Sequence, residues 1–179
     1  ILADNVTVDL NGFTLEGVVG SLYGLYASGF LNNLIIRNGH VRGWGTTGIH
    51  AYFANNCLFS DLCVFSNNIG VALGGNSLMT RCAILNNTSI GAYTYIGSRV
   101  SECIAAYNGD DGFELSGYRC EIDHCISQNN TGHVIDAYQD SVIRNNVCIG
   151  NGSGGDGAGI NIDSAGAGNR IEDNAVNFN

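Results

Sequence analysis

The sequence has no proline and no lysine, a single methionine and a single tryptophan, and charged residues make up only 13% of it. Each shortage excludes something. A chain without proline keeps an N–H at every residue, so uninterrupted β-pairing is open to it. Seven arginines face 16 acidic residues, giving a net charge of −9. Phosphate binding needs a basic stripe, and with none present no nucleic acid partner is expected. An acidic polysaccharide would be repelled unless a cation or a local arginine cluster intervened. No run of about 18 apolar residues occurs, so no membrane span is expected. Strong helix formers are thin beside 26 Gly and 23 Asn, which excludes bundles, coiled coils and the alternating helices of an α/β fold. Disorder is excluded too, because 45% of the residues are hydrophobic.

What the chain does contain is a repeat. Asn, a short gap, then Gly and an apolar run recur, as in Cys63-Val64-Phe65-Ser66-Asn67-Asn68-Ile69-Gly70-Val71-Ala72-Leu73. Related copies start at Cys82, Cys103 and Cys125. Gly48, Gly70, Gly91, Gly112 and Gly132 are separated by 22, 21, 21 and 20 residues. The next step, to Gly159, is 27, and Gly152 to Gly157 reads as a loop inserted in that coil. Leucine-rich repeats need several Leu at fixed offsets, which these units lack. Each unit instead holds short runs of Val, Ile, Leu, Phe and Cys punctuated by Asn, Gly, Ser and Asp. That predicts an all-β fold over residues 1–179, a parallel β-helix of about eight coils of roughly 21 residues. At about 4.8 Å per coil the rod would be on the order of 40 Å long.

The opening Asp4-Asn5-Val6-Thr7-Val8-Asp9-Leu10-Asn11-Gly12-Phe13-Thr14-Leu15 and the later Ile36-Arg37-Asn38-Gly39-His40-Val41-Arg42-Gly43 carry a resemblance. The chain resembles the right-handed parallel β-helix repeat proteins, a superfamily that includes the pectate lyases, and looks like its bacterial members of undefined role. The resemblance covers essentially the whole chain. It implies the fold, and leaves function to the residues.

Two ladders are expected inside the rod. Cys63, Cys82, Cys103 and Cys125 fall 19, 21 and 22 residues apart, in one expected column. A column presents sulfurs in a line, which suits neither tetrahedral zinc nor disulfide geometry, and seven cysteines is an odd number. The column therefore reads as reduced, buried thiols. A pairing among Cys57, Cys120 and Cys148 stays open, and the redox compartment with it. Asn67, Asn86, Asn108, Asn129 and Asn151 read as an internal amide ladder. Arg81, Glu102 and His124 each precede a column cysteine and are expected to stack outward as a charge ladder.

Chemistry is sought where the repeat breaks. Asp110, Asp111 and Glu114 form the densest acidic cluster. The resemblance to polysaccharide lyases implies that such carboxylates could hold calcium against a uronate, while simple turn chemistry explains Asp-Asp-Gly equally well. With no lysine, the base of such an enzyme would have to be an arginine, with Arg119 beside Arg99 and Arg144 the candidates. His133 and Asp136 occupy places where other coils are apolar, as either satisfied core groups or displaced functional ones; Asp and His are residue types that C5-epimerases of this fold use in proton exchange, though the epimerase motif itself is absent. Their three-residue spacing on a strand would set them on opposite faces. Exposed tyrosines could stack on sugars or pack at corners.

Three readings follow. One is a structural rod of an extracellular or cell-surface protein, stacking head to tail on copies of itself or on flanking domains. This reading rests on a chain that starts within a strand pattern at Val6 and finishes in another over 171–179, with open edges at both ends. The alternative is a polysaccharide-binding rod, or a lyase or epimerase working on one.

Overall fold

The computed structural model describes residues 1–152, 157–162 and 167–178. These residues form 21 strands and no helix, and so no helix long and apolar enough to cross a membrane. Every strand pairing is parallel, between residues roughly one repeat apart, as in Ala92↔Phe113 and Phe113↔Ile135. Seven full coils and a partial eighth result. The expected parallel β-helix is what forms.

Each coil has three faces. In one coil the first face is Arg99–Ser101, the second Ile104–Ala106 and the third Phe113–Leu115. Ile35–Arg42 and Leu58–Phe65 run through the first and second faces without a break, joining those two into one 14-stranded sheet. The third face is a separate sheet of seven strands. Strands of three residues suffice because each gains two neighbours, one above and one below.

The corners explain the composition. A three-cornered coil must reverse its path within one or two residues, and the left-handed region provides that bend. Between the first and second faces the residue with positive φ is Asn38, Asp61, Arg81, Glu102, His124, Asn145 or Asp173, at 52° to 60°. Between the second and third it is Ser66, Asn86, Tyr107 or Asn129, and before the next first face Asn5, Asn33, Asn56, Asn76, Arg119 or Asp140. Asn and Asp tolerate this region better than other non-glycine residues, and they dominate these positions.

The core is a stack of equivalents. Ile36, Phe59, Met79, Val100, Ile122 and Ile143 fill the first face with no exposure at all. At about 2 kcal/mol for each such side chain, this column alone is a large share of the driving force. The recurrent glycines serve packing here. A Cβ on Gly70 would collide with the Gly91 carbonyl oxygen, and one on Gly91 with that of Gly112.

The two expected ladders need correction. The internal amide column is Asn67, Asn87, Asn108, Asn130 and Asn151, each donating through backbone N–H and Nδ2 to the next Oδ1 at 2.8–3.1 Å. Asn86 and Asn129 are instead the exposed corner residues just before it. The thiol column holds Cys82, Cys103 and Cys125, linked by N–H···S contacts of 3.4 and 3.5 Å. Cys63 stands outside it, paired in register with Ala83, because Leu62 fills the inward place. Arg81, Glu102 and His124 do share one exposed corner column, which Asp61 joins: Arg81 pairs with Asp61 of the coil before at 2.8 Å, while His124 turns to its neighbour Asp123 at 2.7 Å. A second charge ladder lies on the first face, where Arg99 and Arg144 both reach Glu121 and Asp123.

No disulfide joins any of the seven cysteines, Cys57, Cys120 and Cys148 included, and burial raises the pKa of each of these three. The loop read between Gly152 and Gly157 falls largely on 153–156, outside the described residues. Its two ends meet, since a Cβ on either glycine would strike the other's backbone.

The two kinds of asparagine should respond oppositely to mutation. Asn108→Ala strips acceptors from the Asn87 N–H and Nδ2 and a donor from the Ile84 carbonyl, a cost of about 3 kcal/mol or more in urea unfolding. Asn86→Gly, at a corner with φ of 53°, should be neutral or slightly stabilising. Equal losses at both positions would overturn the assignment of the column.

Candidate functional site

Two coils contribute to one acidic cavity at the entry to the third face. Its volume is about 410 Å³, and Asp110, Asp111, His133 and Asp136 line it with Thr131 and Gly132. Gly132 makes the cavity possible. A Cβ there would lie 2.7 Å from Asp110 Oδ1 and still nearer Asp111 Oδ1, so both carboxylates lean over the same glycine.

Asp111 is the unusual member. It is 8% exposed, and its Oδ1 accepts the His133 backbone N–H at 2.6 Å. Burial pushes its pKa up to about 6, and the negative charges of Asp110 and Asp136 add to the rise. The His133 N–H and side chain oppose it without cancelling it. His133 is itself fixed, because its Nδ1 accepts the Ala158 N–H at 2.9 Å, leaving Nε2 to carry the ring proton.

His133 and Asp136 share the cavity despite their spacing. The strand begins only at Ile135, so His133 belongs to the turn before it and the alternation of a strand does not apply. The sequence placed them on opposite faces because it could not show where the strand begins.

Glu114 and Asp136 are register partners on adjacent strands. Burial raises the Glu114 pKa, although the Ser116 hydroxyl donates to its Oε1 at 2.5 Å. Asn161 donates to Asp136 Oδ1 at 2.8 Å. Ser116 and Asn161 carried no sequence signal beyond their place in the repeat. Among the described residues no group of three His, Cys, Asp or Glu side chains is placed to hold a metal ion, Asp110, Asp111 and Glu114 included.

No arginine lines the cavity. Arg119 sits at an exposed corner with φ of 60°, and Arg99 and Arg144 are spent on the first-face ion pairs. The arginine base considered from the sequence is therefore absent from the acidic turn, since those residues open the first face and the carboxylates open the third.

The tyrosines divide into two groups. Tyr23, Tyr26, Tyr52, Tyr93 and Tyr95 gather on the third face, with Tyr52 ring centroids 5.5 Å from Tyr93 and 5.1 Å from Tyr95. Tyr107 is a corner residue, and Tyr118 and Tyr138 pair at 5.3 Å beyond the third-face strands. Trp44 is half-buried, its Nε1 donating to the Leu15 carbonyl at 3.4 Å. Parallel pairing sets Tyr26, His50, Ala72, Tyr93, Glu114, Asp136 and Asn161 in one outward column, one residue per coil. The face thus passes from aromatic to acidic to amide along the rod.

The Asp111 carboxyl makes a prediction about pH. Its pKa is higher folded than unfolded, so between about pH 4 and 6 the folded chain keeps a proton the unfolded chain has lost. That contribution makes stability fall as pH rises through this window. Asp111→Asn should match the parent near pH 4 and exceed it at pH 7 by on the order of 2 kcal/mol in urea unfolding. A variant less stable than the parent at both pH values would show that the carboxylate is not strained by burial.

The comparisons agree with this architecture. No curated protein matches the chain. Among solved structures it is similar to the Agl-KA catalytic domain, with a TM-score of 0.64 at 15% identity. The superposition covers 98% of this chain and 42% of that one, so the chain spans less than half the length of that structure. At this identity the likeness is one of fold. A family model described as a right handed beta helix region matches residues 23–176, and with the coils seen here the chain belongs to the right-handed parallel β-helix family.

Proposed function

We propose that this β-helix binds a neutral polysaccharide along its third face and hydrolyses it, with Asp111 as the general acid. The observation that carries the reading is the buried Asp111 carboxyl, with a pKa of about 6, among other carboxylates at the end of an aromatic face. A group with that pKa holds its proton in mildly acidic solution and can give it to a glycosidic oxygen as the C–O bond breaks. Asp136, oriented by Asn161, is the base that takes a proton from the attacking water, whose oxygen ends on the anomeric carbon. Two carboxyl groups in different surroundings are what acid–base cleavage of a glycoside requires.

Charge selects between reaction types. Elimination or epimerisation of a uronate needs its carboxylate neutralised, and the cavity lining contains no arginine. A cluster of acids on a chain of net charge −9 favours an uncharged glycan. Uncharged glycans are common outside the cell and at its surface, and this reading puts the protein there.

The test is reducing-end release from a panel of neutral glucans and polyuronates. Neutral glucans should yield new reducing ends, and Asp111→Asn should lower kcat by about 10²-fold or more. Unsaturated products from a polyuronate would replace this reading with a lyase.

A second reading is an assembling rod, and one observation favours it. Apolar side chains stand exposed at both ends of the described coils: Phe13, Val19 and Phe30 at one, Val176 and Phe178 at the other. Covering them coil on coil with a second copy would continue the sheets into a filament. Electron microscopy over a dilution series should then show rods that lengthen with concentration. Single short rods at every concentration would remove the reading.

A further inference from the structure

The third face carries a feature away from the acidic cavity. In the outward column the aromatic series is interrupted at Ala72, between His50 and Tyr93. The missing side chain leaves an open slot of about 270 Å³. His50, Tyr52 and Tyr93 wall it, Ala72 and Ile69 form the floor, and Thr46 stands at the edge.

The slot is built. Tyr26 stacks on His50 with centroids 5.3 Å apart and an interplanar angle of 21°, which holds the imidazole flat against the column. Burial lowers the His50 pKa, so the ring is neutral near pH 7. Tyr52 leans toward Tyr93 and Tyr95, and burial together with the Tyr93 hydroxyl raises its pKa to about 12. No lining residue is acidic or basic apart from this imidazole.

We infer that this slot seats one uncharged pyranose ring of the glycan, at a binding position remote from the bond that is cut. The inference rests on the hydrolytic reading for its direction along the rod, and on the slot alone for its chemistry. A pyranose offers an apolar face of C–H groups and a polar rim of hydroxyls. Aromatic walls and an apolar floor fit the first, and the Tyr52, Tyr93 and Thr46 hydroxyls fit the second. A uronate would bring a carboxylate into a site with no cation to receive it.

Spacing ties the slot to the acids. Ala72 lies two coils from Glu114 and three from Asp136, or about 10 and 14 Å at about 4.8 Å per coil. A sugar unit of an extended glycan advances by nearly the same length as one coil. A chain laid along the rod would therefore have a ring over Ala72 two to three units from the reacting bond. Affinity should rise in a step when an oligosaccharide is long enough to reach both places.

The test is calorimetric titration with neutral oligosaccharides of increasing length, in an Asp111→Asn background so that cutting is slow against the titration. Ala72→Leu fills the slot from an outward position, and should abolish the step by lowering affinity for the longer chains about tenfold. Tyr93→Ala removes a wall and should do the same, which guards against misfolding of either single variant. Long chains binding both variants within about twofold of the background protein, with circular dichroism unchanged, would overturn the inference. So would failure of every neutral oligosaccharide to bind. Turnover is read separately on the unmodified protein: a step without hydrolysis keeps the slot and discards Asp111 as the acid, whereas hydrolysis without a step does the reverse.

Discussion

Everything in this molecule depends on satisfying backbone groups at sharp corners. A coil with three bends exposes N–H and C=O groups where strand pairing lapses, and some of these corners are buried. The column of Asn67, Asn87, Asn108, Asn130 and Asn151 supplies what is missing. Each Oδ1 accepts from the asparagine of the preceding coil, while the Nδ2 of the same side chain also reaches a carbonyl of an earlier strand, such as Val64 or Ile84. A buried amide bonded in this way is satisfied, and left unbonded it would cost more than any single apolar contact returns. The column holds successive coils in register, and the register keeps the faces flat.

Flatness is what gives the third face its chemistry. Because the pairing is in register from coil to coil, outward residues fall into straight columns, and neighbours on the surface are about 21 positions apart in the chain. Glu114 meets Asp136 in this way, and Asp111 meets His133. The protonation behaviour of Asp111 is thus a property of two adjoining coils: one provides the carboxyl, and the other provides the glycine that makes room and the amide that bonds it.

Much of this was legible in the sequence, and the failures have definite causes. The period was visible because the glycines at 70 and 91 leave no room for a side chain, which fixes their spacing. The asparagine column was displaced by one residue at 86 and at 129. An Asn-Asn pair suits both a left-handed corner and an inward amide, and periodicity cannot say which member does which. Cys63 was misplaced for a similar reason: its coil is two residues shorter to the next cysteine, and Leu62 takes the inward place. Asp110, Asp111, His133 and Asp136 stood out as departures from the repeat. Their convergence did not, since it depends on where a three-residue strand begins. The slot at Ala72 was invisible, because a missing side chain matters only once its neighbours are known.

The coil is also a unit of inheritance. Each one touches only the coils above and below it, so a whole repeat can be duplicated or lost with disturbance confined to a single seam. Such an event leaves every local environment nearly intact and changes one quantity, the distance between features on the same column. Surfaces on this scaffold therefore evolve in whole steps. Two sites can drift apart or together by a fixed increment while the chemistry of each stays the same, much as beads move along a ruled wire.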